Sequence, residues 1–309
     1  MLTVFAALLP VFLLIVLGFV LRRSLLKEDA HWIGLERLVY YVLFPALLID
    51  TLARVDLSAV PIFGAGGAMM LSVMLMALLC LALWPLLART VGLDGPGFTS
   101  MLQGAARWQT FVALSVASGL WGNIGIAVAS VAMIAMIPLL NIISVAALAR
   151  FAAPQRLSWP AVLLTIARNP FIWGCVLGLA LNLIRLPIPE PIHQFADSLG
   201  RCSLATGLLV VGAGLQLEEL HRPGATILLT ILLKLAVMPA IAIALGLAFG
   251  LSGTHLAIVA CCTSVPTSSN SYVLARQMGG DAPMMAQIVT LQTFLALATM
   301  PVAITLASS

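Results

Sequence analysis

The chain has 309 residues, 62% of them apolar and only 8% charged. A soluble domain carries about 25% charged and about 45–50% apolar residues, so a cytosolic enzyme is excluded, and so is intrinsic disorder. The net charge of +4 is spread through loops without a basic stripe, which argues against a nucleic-acid partner. What remains is an all-α polytopic membrane protein.

Apolar runs at 2–21, 34–53, 61–88, 98–118, 121–149, 165–184, 196–217, 224–250, 254–276 and 281–306 predict ten transmembrane helices, each at least as long as the roughly 20 residues a bilayer requires. The first run ends in Arg22 and Arg23. It has no basic region before it and no small-residue cleavage pattern after it, so it reads as a retained span. The fourth and fifth runs are separated only by Gly119–Asn123. Loops after odd-numbered spans hold most of the basic residues, including Arg22, Arg23, Lys27, Arg89, Arg150, Arg156, Arg168, Arg222 and Arg276. The other side holds Arg54, Arg185 and Arg201. This bias puts the odd loops in the cytoplasm and both termini outside.

The chain also resembles itself at an offset near 160. Pro10 and Gly18 match Pro170 and Gly178, Gln109-Thr110-Phe111-Val112 matches Asn270-Ser271-Tyr272-Val273, and Pro138 matches Pro301. An odd number of spans per repeat forces the halves into opposite orientations, a recurring transporter design. The expectation is a 5+5 inverted repeat: residues 1–151, a cytoplasmic linker over 152–160, and residues 161–309.

Polar groups inside the spans are the informative ones. The ninth span contains Thr263-Ser264-Val265-Pro266-Thr267-Ser268-Ser269-Asn270-Ser271. Pro266 lacks an amide hydrogen and clashes one turn back, so the helix should break there. Irregular backbone at membrane depth must be buried in protein or line a wet cavity. The hydroxyls and amide exceed what a simple kink needs, which points to a ligand site.

The fourth span carries Gln103, Arg107, Gln109 and Thr110, with Arg107 near mid-membrane by rise per residue. An arginine there is costly and is a functional candidate, snorkelling to the cytoplasmic face being the competing reading. Lys234 in the eighth span poses the same choice. Asn141, just after Pro138, is a further mid-membrane amide, while Gln287 and Gln292 read as helix-packing groups. All acids lie in loops or at span ends. Two buried cations therefore lack an anion, and the missing partner can be the substrate.

No H-E-x-x-H, no G-x-S-x-G and no intramembrane acid pair is present, which disfavours an enzyme. Cys80, Cys175, Cys202, Cys261 and Cys262 show no C-x-x-C spacing, so neither a metal site nor a disulfide framework is indicated.

Leu9-Pro10-Val11-Phe12 through Gly18-Phe19 and Leu38-Val39-Tyr40-Tyr41-Val42-Leu43-Phe44-Pro45 resemble the auxin efflux carrier family. So do Gln103-Gly104-Ala105-Ala106-Arg107, Pro138-Leu139-Leu140-Asn141 and the run from Pro266 to Ala275 followed by Gly279-Gly280-Asp281. The resemblance covers nearly the whole chain. It implies scaffold helices 1, 2, 6 and 7, transport helices 3–5 and 8–10, broken helices 4 and 9 that cross near the substrate, elevator-like movement and a homodimer. It places Gln109 and Asn270 at the two crossings and Asn141 beside them.

One departure is that members often have proline at the first crossing, whereas Arg107–Leu114 contains none. That leaves the fourth span without the usual cause of a break. The long loop of plant members is also absent, which favours a bacterial carrier in the inner (plasma) membrane.

These observations together predict a secondary transporter of a small organic anion, a carboxylate or auxin-like molecule. Arg107, Gln109, Thr110, Asn141, Lys234, Ser269, Asn270 and Ser271 would bind substrate, and Pro266 would hold the ninth span open. No cofactor is expected beyond a coupling proton or sodium ion. The alternatives are a sodium-coupled carrier of the bile-acid type and a non-transporting membrane receptor or scaffold.

Overall fold

The computed structural model describes residues 2–56, 60–152, 170–185, 188–217 and 223–308, with isolated positions 160, 164 and 168. The expected linker, Arg156 and Arg222 thus lie wholly or largely outside the described residues. Every regular element among those described is helical. In chain order they are α1 (Leu2–Ser24), α2 (Asp29–Leu38), α3 (Phe44–Arg54), α4 (Ile62–Thr90), α5 (Gly95–Ala106), α6 (Thr110–Phe151) and α7 (Pro170–Leu183). Then come α8 (Glu190–Ala213), α9 (Ala225–Leu232), α10 (Met238–Ala248), α11 (Gly253–Ser264), α12 (Asn270–Met278) and α13 (Ala282–Ser308).

Two π turns, Val39–Leu43 and Leu233–Val237, splice α2 to α3 and α9 to α10. Each is followed by an X-Pro pair, Phe44-Pro45 and Met238-Pro239. Proline cannot donate to the turn before it, and a locally widened helix is how that turn is accommodated.

Six described segments are long and apolar enough to cross a membrane: Val4–Ser24, Asp29–Arg54, Ile62–Thr90, Gly95–Phe151, Ala225–Ala248 and Ala282–Ser308. Two further apolar helices, Pro170–Leu183 and Gly253–Ser264, are shorter. Large apolar side chains such as Phe63, Leu78, Trp173 and Leu183 face outward, as lipid contact allows. The segment Gly95–Phe151 is not one rod. It is interrupted after Ala106 and kinks at Gly122, whose φ of 57° and ψ of −137° suit a residue without a β-carbon. The kink falls inside the expected separation at 119–123.

The helices pack in two groups. Helix α1 lies along α8, and α3 packs on both α7 and α8. The helices α4, α5, α6, α10, α11 and α13 form a second mutually packed set, which meets the first where α1 touches α6 and α13 and where α6 touches α3, α7 and α8. The second group buries most of the intramembrane polar residues, among them Ser72, Gln103, Gln109, Ser130, Thr263, Thr267 and Gln292. Between helices in lipid, association depends on close packing and interhelical hydrogen bonds, and this group uses both.

Candidate functional site

The site is built from two helix interruptions. Helix α5 begins under the side chain of Asp94, which accepts from the Gly97 amide at 2.8 Å. It stops at Ala106, where Arg107 turns extended with φ −70° and ψ 156°. Helix α6 resumes at Thr110. Helix α11 stops at Ser264, where Val265 takes φ −64° and ψ 154° ahead of Pro266, and α12 resumes at Asn270. The fourth span is therefore interrupted although it has no proline there.

The two interruptions touch. Gln292, on α13, accepts from the Thr267 amide through Oε1 at 2.9 Å and donates through Nε2 to the Gly104 carbonyl at 3.0 Å. The Thr267 hydroxyl donates to the Gln103 carbonyl at 3.1 Å. The Gly104 carbonyl has no intrahelical donor at the end of α5 and is satisfied by Gln292, while the Gln103 carbonyl accepts from both the Arg107 amide, at 2.9 Å, and Thr267. Gly104 permits the approach: a β-carbon there would lie 2.7 Å from Thr230 Cγ2 and 2.8 Å from Ile288 Cγ2. On the other flank, Gln109 Nε2 donates to Ser269 Oγ at 3.2 Å. The internal sequence match pairs Gln109 with Asn270, and the direct contact is with its neighbour Ser269.

Gln292 corrects the reading of it as a packing group, because its amide is the bridge between both breaks. A glutamine in the middle of an apolar helix was the available signal, and only the three-dimensional crossing shows what it serves.

Arg107 is half-buried and does not snorkel free. Its guanidinium reaches Gln103 Oε1 and Asn141 Oδ1, each at 3.4 Å. Four expected site residues, Arg107, Asn141 and the nearby Gln109–Ser269 pair, thus gather around the first break. Thr110 is the first residue of α6 and half-buried. Ser271 is fully buried, with a hydroxyl that has no partner.

Lys234 is also fully buried, in the π turn between α9 and α10, and Nζ has no hydrogen-bond partner. That turn packs against α5, α11 and α13, the helices that make the crossing. Snorkelling does not occur for Lys234. Among the described residues neither Arg107 nor Lys234 has a carboxylate within ion-pairing distance, and no metal-binding cluster of His, Cys, Asp or Glu is present.

Among the described residues the unpartnered buried side-chain nitrogens are Gln103 Nε2, Trp108 Nε1 and Lys234 Nζ, and the other unpartnered buried side-chain atoms are the hydroxyls of Ser115, Ser271 and Thr305. Every one of these groups can donate a hydrogen bond. The hydroxyls can also accept, whereas the three nitrogens can only donate, so the unmet need of the buried nitrogens is for acceptors. The N-terminus of α6 adds positive potential, while the first amides of α12, those of Asn270, Ser271 and Tyr272, are taken up by Ser268 and Ser269.

A cavity of about 780 Å³ leads to the second break. Its inner wall includes Ser269, Asn270 and Tyr272, and its outer wall includes Arg22, Arg23, Lys27, Trp32 and Glu36. Asn270 is exposed into it, so the residue faces a polar cavity. Arg107, Gln109, Asn141, Lys234 and Ser271 lie behind this wall and do not line it. The cationic residues at the outer end were visible in the sequence as orientation signals, and nothing there connected them to Asn270.

The family model described as membrane transport protein matches residues 3–304. No curated protein is similar enough to match the chain. The chain belongs to the auxin efflux carrier family of membrane transport proteins, whose members are transporters and not enzymes.

Proposed function

We propose that the protein is a secondary carrier of a small organic anion, a carboxylate or an auxin-like molecule, that works by elevator-type alternating access. The observation that supports this most is the set of unpartnered donors, Gln103 Nε2, Trp108 Nε1 and Lys234 Nζ, on segments that meet at the crossing. Buried donors without acceptors are costly, and a buried cation without an anion is costlier. A carboxylate supplies two acceptor oxygens and one negative charge, and so answers both deficits. Arg107, Gln109, Asn141, Ser269, Asn270 and Ser271 would hold it, with Thr110 at the start of α6 and Lys234 contributing positive potential. Pro266 would keep the α11–α12 interruption open.

The same reading takes the chain as ten helices in a 5+5 inverted repeat, residues 1–151 and 161–309 joined through 152–160. The group made by α1, α3, α7 and α8 is the scaffold, and the mutually packed group with both breaks is the moving transport body. The heavier packing within each group than between them supports that division. With Arg22, Arg23 and Lys27 on the cytoplasmic side, the cavity opens inward and both termini face out. A homodimer in the inner (plasma) membrane, joined through the scaffold, completes the proposal.

Counterflow in proteoliposomes tests it: labelled mono- and dicarboxylates should exchange against unlabelled ones, and uncharged amide analogues should not. Absence of exchange for every anion would make the protein a binder and not a carrier. A sodium-coupled carrier of the bile-acid type is separated in the same assay, since replacing sodium by choline would then stop uptake.

A further inference from the structure

We propose that Lys234 is the proton-coupling group of this carrier, taking up one proton with each anion and releasing it on the other side. This rests on the anion-carrier reading above and assigns its coupling ion.

Lys234 sits on the segment α9–π turn–α10, and Thr230, one turn earlier, lies against Gly104 at the end of α5. The π turn contacts α5, α11 and α13, so the amine is enclosed by the helices that form both breaks. It is outside the Asn270 cavity, which makes it a poor first contact for substrate. A widened π turn within an α-helix is a frequent mark of a functional position.

The surroundings then limit what the amine can do. The packed neighbours α9, α10 and α13 contain no ionisable side chain. Helix α11 supplies His255, near its start, and the thiols Cys261 and Cys262. Helix α5 ends at Arg107, a cation. No carboxylate faces the amine from any of these elements. An ammonium in such a place needs an anion nearby, and the only anion this site admits is the one being carried. The protonated amine and the bound carboxylate therefore stabilise each other, and by linkage each raises the occupancy of the other.

The step balances simply. A neutral amine and a proton from one compartment give the ammonium, and the carboxylate binds beside it. After the transport body moves, the carboxylate leaves to the other compartment and the proton follows from Nζ. No sodium ion is required, and for a monocarboxylate the cycle moves no net charge.

The test uses full-length protein in proteoliposomes loaded with a pH-sensitive dye, in choline medium, with protein-free liposomes as the control. The probes are pyruvate and succinate. Wild-type protein is expected to acidify the lumen as pyruvate enters. One proton per anion sets an accumulation of about tenfold for a gradient of about one pH unit. Lys234→Met is expected to lose both acidification and accumulation, while counterflow exchange continues at weaker affinity. Acidification by Lys234→Met equal to wild type, or accumulation that needs sodium, would overturn the proposal.

Failure of wild-type protein to move either probe counts against the carrier reading itself. Lys234 is then judged without transport, from thermal melting of detergent-purified protein. Its melting temperature should depend on pH differently in wild type and in Lys234→Met, because only the wild type carries an enclosed group that takes up a proton. Identical slopes would overturn the assignment.

Discussion

The two helix interruptions reach nearly the same backbone conformation from different sequences. Val265 precedes Pro266, and a residue before proline is held in the extended region by steric clash; its ψ is 154°. Arg107 precedes Trp108, has no such constraint, and still takes ψ 156°. Local chemistry fixes the second break. The first is held from outside, by Gln292 on the Gly104 carbonyl and by Thr267 on the Gln103 carbonyl. Since Thr267 follows Pro266 directly, the proline break supplies one of the groups that hold its counterpart open. The contrast separates two jobs that the family pattern usually gives to prolines at both crossings: ending a helix, and satisfying the backbone it exposes.

Four substitutions would sharpen or break this comparison. Asn270→Ala should have the largest effect, abolishing transport in vesicles while protein levels hold, because it removes the amide that faces the cavity. Wild-type uptake by this variant would remove Asn270 from the site. Gln292→Leu should come next. It strands the Thr267 amide and the Gly104 carbonyl together, an expected loss of about 2–4 kcal/mol, visible as a lower melting temperature with transport reduced to near background. Unchanged melting would mean that the two breaks are held by something else.

Gln109→Ala removes the bond to Ser269 together with one of the amides proposed to hold the substrate, and should cost about 1.5 kcal/mol, roughly a tenfold rise in KM. The smallest effect is expected from Pro266→Ala. The contacts of Thr267 with Gln292 and Gln103 remain, so the transport rate should fall only about threefold. Complete loss would show that the tertiary contacts cannot replace the ring, and that the first break has a cause not yet identified.

The second break was readable from sequence because its cause is local: proline inside a run of hydroxyls. Gln109 was readable through the internal match with Asn270. The first break was not, since Arg107-Trp108-Gln109 contains no residue that ends a helix by itself, and its determinants come from far along the chain. Gln292 was misread for the same reason. One amide in an apolar helix has many uses, and the crossing selects among them. Hydropathy placed Lys234 on the right helix but could not choose between snorkelling and enclosure. That choice depends on neighbours from α5, α11 and α13. The Gly122 kink, by contrast, was marked by Gly119–Asn123, where glycine and asparagine break an otherwise apolar pattern.

Titrating purified protein with a small carboxylate and with its uncharged amide, for wild type and for Arg107→Gln, tests the donor-rich crossing most directly. The account predicts that wild type binds the carboxylate at least about tenfold more tightly than the amide, and that Arg107→Gln loses most of this preference. Equal affinity of wild type for both ligands, or a preference that survives in Arg107→Gln, would contradict it.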